Sequence, residues 1–127
     1  MKFNILLWLF AKLLSRARKK NSAMRTSIST KVKENAQAIF QFETDDHKVS
    51  RYLSFSQTGI QTKSGKHPTP SCTINLQNSA YAYSTFMEVA TGKNKNAFLQ
   101  GIQEKRIKVQ GDLSQLLWLQ GLTKYLK

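Results

Sequence analysis

Residues 97–119, AFLQGIQEKRIKVQGDLSQLLWL, hold the pattern that decides the fold. Apolar and polar residues alternate over 107–110, which is the two-residue period of a half-buried strand. Gly111 ends this strand, and Asp112 follows at the position of a helix N-cap, with Gln115 at capping-box spacing. The apolar residues that follow are Leu113, Leu116, Leu117, Trp118, Leu119, Leu122, Tyr125 and Leu126. They recur nearly all round a helix, which predicts a strand, a tight corner and a buried helix.

The rest of the chain predicts helices and strands in a simple order. A helix is expected over 2–20, and a weakly amphipathic helix or linker over 21–35. Strands are predicted at about 36–43, 49–56, 60–62 and 72–76, followed by helices at about 79–90 and 94–104. Hairpin-linked strands followed by helices indicate an α+β domain with a mostly antiparallel five-stranded sheet, covered on one face by helices.

Composition indicates one domain with an unevenly placed positive charge. The chain has 127 residues and a net charge of +13. Its first 33 residues carry nine Lys or Arg and no acidic residue, whereas the other 94 carry eleven basic and seven acidic residues, a net of +4. The leading segment is therefore the part expected to meet an anionic partner. The single cysteine, Cys72, excludes an internal disulfide and is expected to be a small buried apolar residue.

The leading segment predicts a helix that lies in a membrane interface. Its apolar part, 3–14, is 12 residues long, whereas a span across a bilayer needs about 20. The basic cluster follows the apolar part, so a cleaved signal is not expected. Headgroup-depth aromatics with basic residues against anionic lipid are typical of an interfacial helix. The predicted membrane-binding residues are Phe3, Leu6, Leu7, Trp8, Phe10, Lys12, Leu13, Leu14, Arg16, Arg18, Lys19 and Lys20.

Other interpretations of the same segment remain open. Its apolar face could pack on its own domain or on a second copy, or the segment could be a short transmembrane anchor. Nucleic acid is disfavoured because the aromatics interleave with leucines rather than with the basic residues, as a stacking surface would need. The expected location is the cytoplasm, peripherally attached to the inner face of the membrane, with a protein partner or homodimer possible.

The sequence shows no persuasive catalytic set. His47 and His67 lie in predicted polar loops, and Asp45 with Asp46 resembles turn chemistry more than a cation site. No Cys/His cluster has metal-ligand spacing, so no metal and no cofactor is expected. The residues therefore favour a protein that is not an enzyme.

The chain resembles the sterol carrier protein type 2 domain family. The matching residues are Phe86, Ala90, Gly92, Ala97, Phe98, Gly101 and the strand 107–109 running into Gly111 and Asp112. The resemblance covers about residues 36–126, although the spacing from Gly101 to Gly111 is longer than usual by about one helical turn. It implies a five-stranded sheet with a lipid-accepting tunnel, lipid carriage and, in some bacterial members, accessory service in quinone synthesis.

These observations predict a membrane-associated lipid carrier in three parts. The parts are an interfacial helix at 1–20, a linker or helix at 21–35 and a lipid-binding domain at 36–127. A carrier would shelter an acyl, isoprenoid or similar chain, and the alternative is an accessory scaffold that uses its apolar helices as interfaces. The predicted cavity residues are Phe40, Phe42, Leu53, Phe55, Ile74, Leu76, Phe86, Phe98, Ile102, Leu116, Trp118, Leu119 and Leu122.

Overall fold

The computed structural model describes residues 2–35, 38–46, 48–56, 59–94, 96–111 and 113–126. The elements in chain order are α1 (Lys2–Lys20), α2 (Ser22–Asn35), β1 (Ala38–Thr44), β2 (Ser50–Ser56), β3 (Gly59–Ser64), β4 (Cys72–Leu76), α3 (Ser79–Ala90), α4 (Ala97–Gln103), β5 (Ile107–Gly111), α5 (Leu113–Gly121) and the 3-10 helix Leu122–Leu126. Ala36, His47 and Asp112 lie outside the described residues, so the strand start, the solvated histidine and the N-cap predicted there stay predictions.

The strands form one mixed sheet in the order β3-β2-β1-β4-β5. β1 and β4 are parallel, with Phe42 opposite Ile74, whereas the other neighbouring pairs are antiparallel. Each of the five α-helices contacts at least one strand of the sheet, and Phe40, Leu53 and Ile74 are buried within it. The predicted α+β fold with a mostly antiparallel five-stranded sheet is confirmed.

The first strand, β1, is buried on both of its faces. Ile39 and Gln41 are buried as well as Phe40, because the loop 65–71 crosses the outer face of the sheet. β4 pairs with β1 on the side away from β3, so the chain must pass over β1 to reach it. Within this crossing, Gln41 Nε2 donates to the Gly65 carbonyl at 3.0 Å and the His67 amide donates to Gln41 Oε1 at 2.8 Å.

The first two helices belong to the same hydrophobic core as the sheet. Buried residues of α1 and α2 join one cluster with those of the strands and of α3 to α5. The core thus continues across residues 20 and 35, and the functional division of the chain at these positions stays a prediction. The core residues contributed by the leading helices are Phe3, Leu7, Phe10, Ala11, Leu14, Met24, Ile28 and Val32.

The turn after β1 is fastened to the start of α3 by Asp46. Its carboxylate accepts hydrogen bonds from the Thr44 hydroxyl, from the Lys48 amide at 3.2 Å and from the Ser79 amide at 3.1 Å. The Thr44 hydroxyl is the largest cause that lowers the pKa of Asp46 to about 2, and the Ser79 and Lys48 amides add to it. The prediction that this carboxylate is a turn former agrees with these contacts.

Helix ends follow the local sequence, whereas the last helix is buried less than predicted. Asn78 caps α3 by accepting from the Tyr81 amide at 2.8 Å, and Gly92 follows the helix with φ +77°. In α5, Leu116 and Leu119 are buried, but Leu113 and Leu117 are each 39% exposed. The predicted all-round burial of this helix is therefore wrong, because only one of its faces packs on the core.

Candidate functional site

An aromatic cluster centred on Phe86 fills the space where three helices meet the sheet. The ring of Phe86 lies 5.2 Å from Phe3, 5.5 Å from Phe10, 5.3 Å from Phe42 and 5.2 Å from Phe98, measured between centroids. These residues come from α1, β1 and α4, so Phe86 of α3 joins four elements. Edge-on and tilted ring pairs at such distances stabilise a core beyond the effect of area burial.

A second aromatic cluster lies around Trp118 of α5. Its indole stacks on Phe40 with centroids 6.0 Å apart and planes at 13°, and meets Phe55 edge-on at 5.3 Å. The indole Nε1 donates to Ser27 Oγ on α2 at 3.0 Å, which satisfies its polar atom at the edge of the apolar layer. Trp118 therefore lies in the interior between the sheet, α2 and α5, where its fluorescence would respond to changes in that region.

The residues predicted to line a ligand cavity come together in one apolar layer between the sheet and the helices. Ile102 and Trp118 are partly buried at its margin, and the remaining members are buried. The buried members are Phe40, Phe42, Leu53, Phe55, Ile74, Leu76, Phe86, Phe98, Leu116, Leu119 and Leu122. Their role in holding a ligand stays a prediction.

The leading helices contribute to this layer. The apolar residues of α1 recur at helical spacing and predicted an apolar face, with a membrane as the expected partner and the protein's own domain as an open alternative. The structure places Phe3, Leu7, Phe10 and Leu14 in the core, each at most 4% exposed. In this conformation they are buried in the protein, and their assignment as membrane-binding residues stays a prediction.

The other predicted membrane residues lie at the margin or on the outside of α1. Leu6 and Arg18 are partly buried. The exposed members are Trp8, Lys12, Leu13, Arg16, Lys19 and Lys20. The physical reason for this division is that α1 packs along α3, β3 and the 3-10 helix, and one face of a helix is enough for those contacts.

The outer face of α1 combines exposed apolar and basic side chains. It is defined by Ile5, Trp8, Leu9, Lys12 and Arg16. Ile5 is 63% exposed, Trp8 48% and Leu9 44%, which is unusual for three large apolar residues of one short stretch. The basic residues follow on the same face, and Lys12 Nζ lies 5.5 Å from the ring centroid of Trp8. The outer face is thus apolar at the start of the helix and basic towards its end.

Two shallow depressions that share Tyr83 lie near this face. One, of about 220 Å³, is lined by Ile5, Leu6 and Leu9 of α1 and by Tyr83 of α3. The other, of about 450 Å³, is lined by residues of α3 from Tyr83 to Glu88, and by Thr91 and Lys93 beyond the helix. The first depression extends the exposed apolar surface of α1 onto α3.

Arg51 of β2 brings a positive charge to the helix-covered side of the sheet. It lies on the same side as Leu53 and Phe55, because successive residues of a strand alternate between faces. The guanidinium is half-buried; its Nε donates to Asn4 Oδ1 in the first turn of α1, and its Nη1 donates to Thr62 Oγ1 at 3.0 Å. Both of these partners are uncharged.

The described part of the chain contains no group of three or more His, Cys, Asp or Glu side chains that could hold a metal ion. Cys72 is buried in β4, as expected for a small apolar residue. Across the same described ranges, no helix combines the length and the hydropathy that a bilayer crossing requires.

A five-stranded mixed sheet with one apolar layer under its helices defines a sterol-carrier-type α+β domain. The model of the SCP-2 sterol transfer family matches residues 11–124. The chain therefore belongs to the SCP-2 sterol transfer family, and the match begins inside α1, before the domain start predicted from the sequence. No curated protein sequence matches the chain.

Solved structures share the fold at low sequence identity. The structure titled UbiJ-SCP2 Ubiquinone synthesis protein has a TM-score of 0.69 and 14% identity, over 97% of this chain and 96% of that one. Sterol Carrier Protein 2 from Yarrowia lipolytica, in its apo form, has a TM-score of 0.57 and 12% identity, over 92% and 88%. The sec-alkylsulfatase Pisa1 from Pseudomonas sp. has a TM-score of 0.59 and 17% identity over 77% of this chain, which corresponds to 14% of the sulfatase. Identities this low show the fold alone.

Proposed function

We propose that the protein is a non-enzymatic lipid-binding module that takes up an acyl, isoprenoid or similar chain between its sheet and its helices. Membership of the sterol transfer family supports this class of function. The structural observation that carries the proposal is the contact of Phe3 and Phe10 with Phe86. At this contact a single helix covers the apolar layer with side chains of the same chemistry as a lipid chain.

In this proposal, the lipid chain displaces α1 from the apolar layer. Removing Phe3 and Phe10 from Phe86 and placing a hydrocarbon chain there exchanges one apolar contact for another, so the layer stays shielded from water. The polar contacts of α1 with the sheet include the Asn4 bond to Arg51 and a long one, 3.5 Å, from Ser15 Oγ to the Ile60 carbonyl. Breaking these contacts costs little free energy, since a typical hydrogen bond contributes about 1 kcal/mol to stability.

We further propose that the outer face of α1 attaches the protein to an anionic membrane, at its cytoplasmic side. Ile5, Trp8 and Leu9 would enter the headgroup region, while Lys12 and Arg16 meet the lipid phosphates. Each basic residue near such a surface contributes about 1 kcal/mol. A helix that lies on the membrane and also covers the apolar layer would couple attachment to lipid entry.

Native mass spectrometry of the purified full-length chain tests the lipid-binding proposal. We expect a lipid adduct on the protein after incubation with phospholipid vesicles, and the same lipid in an organic extract of the re-purified sample. The stoichiometry expected is one chain-bearing lipid per protein. A protein that shows only its polypeptide mass, both as purified and after the incubation, would count against a lipid carrier.

A scaffold role is the second candidate. The observation that favours it is the structure titled UbiJ-SCP2 Ubiquinone synthesis protein, which shares the fold along 97% of this chain. Exposed apolar residues on two helices, such as Leu9 of α1 and Leu117 of α5, could serve as protein interfaces. This role would be favoured by a lipid-free interior combined with a stable homodimer or complex in light scattering.

A further inference from the structure

Arg51 occupies an unusual position for a charged residue. It lies on the helix-covered side of β2, two residues before the fully buried Leu53. Across the sheet it is opposite Phe42 of β1, and the ring of Phe42 lies against Phe86. The guanidinium is therefore at one end of a line of apolar residues that leads to the centre of the aromatic cluster.

The described partners of Arg51 do not balance its charge. Asn4 Oδ1 and Thr62 Oγ1 are neutral acceptors. The two ion pairs of the described structure join Lys66 to Glu43 and Arg106 to Glu104, and Glu43 lies on the opposite face of the sheet from Arg51. A guanidinium offers five donors in a planar fork that matches carboxylate and phosphate oxygens, and bonds to such charged acceptors are roughly twice as strong as neutral ones.

We propose that Arg51 binds the anionic headgroup, carboxylate or phosphate, of a single-chain lipid whose hydrocarbon chain lies in the apolar layer. This inference rests on the proposed lipid-binding function and specifies its ligand class. Asn4 holds the guanidinium while α1 covers the layer, and a headgroup oxygen replaces Asn4 Oδ1 when the chain enters. The exchange gives a charged acceptor to Arg51, which favours the displacement of α1 by an anionic lipid over a neutral one.

The test compares two ligands of equal chain length, palmitate and hexadecanol, below their aggregation concentrations. Each displaces the neutral fluorescent probe N-phenyl-1-naphthylamine from the full-length protein, and the readout is the ratio of the two affinities. In Arg51→Gln we expect the preference for palmitate to fall about tenfold, the effect of one charge-assisted hydrogen bond. Hexadecanol binding should stay unchanged.

Lys63→Gln is the matched charge control. Lys63 is the exposed register partner of Tyr52 on β3, so its removal lowers the net charge equally from the opposite side of the same two strands. Its affinity ratio should equal that of the wild type. Asn4→Ala is a second, independent variant that removes the neutral acceptor with which a lipid headgroup competes for Arg51. It should raise the preference for palmitate, and this result does not depend on whether Arg51→Gln folds.

The outcomes separate the inference from the function on which it rests. An unchanged ratio in Arg51→Gln, or equal losses for both ligands, would overturn the role of Arg51 while hexadecanol binding still supports a lipid carrier. No increase in the Asn4→Ala ratio would also overturn it. Inorganic phosphate at millimolar concentration should not compete with palmitate, and full competition would indicate a free-anion site instead. Failure of the probe and of both ligands to bind the wild type would overturn both proposals.

Discussion

Phe10 of α1 meets Phe86 of α3 edge-on, with ring centroids 5.5 Å apart and ring planes at 80°. The contact makes the first helix a structural part of the domain, since Phe86 also touches Phe42 on the sheet. The preceding residue of α1, Leu9, points outward and is 44% exposed. Phe10 thus belongs to the face of α1 that packs in the core, and Leu9 to the face that is proposed to contact a membrane.

The first prediction concerns this difference. Phe10→Ala should lower the free energy of unfolding by about 3–5 kcal/mol, because it empties a buried aromatic site. Leu9→Ala should change it by at most about 0.5 kcal/mol, as is usual for an exposed position. Urea denaturation followed by circular dichroism measures both. Equal effects of the two substitutions would show that α1 is not packed as described.

Gly101 of α4 provides a second test of the packing. A Cβ at this position would lie 2.8 Å from Ile107 Cγ1 and would also press on the Tyr81 hydroxyl, whereas a Cβ on Gly121 of α5 meets nothing within 4 Å. We expect Gly101→Ala to destabilise the protein by about 1–3 kcal/mol, the usual cost of overpacking. Gly121→Ala is the control and should be neutral or stabilising by up to about 1 kcal/mol. The opposite order of melting temperatures would contradict the close approach of α4 to β5.

A pH dependence follows from Asp46. The pKa of this carboxyl is lowered from 3.8 to about 2 in the folded chain, chiefly by the Thr44 hydroxyl. A depressed pKa stabilises the fold above the unfolded-state value, and this contribution is lost as the pH falls from about 4 to about 2. The wild type should therefore be more stable than Asp46→Asn at pH 7, and the two should converge near pH 2. The Asp45→Asn variant is the control, and a constant difference between wild type and Asp46→Asn across this range would contradict the assignment.

Membrane attachment through the outer face of α1 is tested by liposome flotation. Deleting residues 1–20 is the wrong variant, because it would uncover the core around Phe86. Trp8→Ser with Leu9→Ser should instead reduce binding to vesicles that contain anionic lipid, and high salt should weaken the binding of the wild type. Leu113→Ser with Leu117→Ser removes two exposed apolar residues from α5 and is the matched control. Equal binding of the two double variants would argue against the outer face of α1 as the contact.

Local patterns were sufficient to predict most elements of the fold. The alternation over 107–110 and the glycine that follows correspond to β5, in which Gly111 has φ +105°. A left-handed backbone of this kind favours glycine, so the strand end was encoded in one residue. The helix ending before Gly92 was predictable for the same reason.

Two features could not be predicted because they depend on distant parts of the chain. The periodicity of α1 defines an apolar face, but it does not say whether Phe3 and Phe10 will face lipid or Phe86. Similarly, the burial of Gln41 on the outer side of β1 results from the path of the loop 65–71, which follows from the strand order. The environment of Arg51 could not be predicted either, since its partner Asn4 is 47 positions away in sequence.

The central claim, that the apolar layer admits a lipid chain, is tested most directly by the fluorescence of Trp118. The chain has two tryptophans, so Trp8→Phe leaves Trp118 as the single reporter, stacked on Phe40 inside the layer. Titration with 9,10-dibromostearate below its aggregation concentration should quench the fluorescence of this indole and saturate at one ligand per protein. In the Trp118→Phe variant, where Trp8 is the single tryptophan, the ligand should quench the fluorescence only slightly. Quenching of Trp8 without quenching of Trp118, in a chain that stays folded, would mean that lipid binds only to the surface and would contradict the claim.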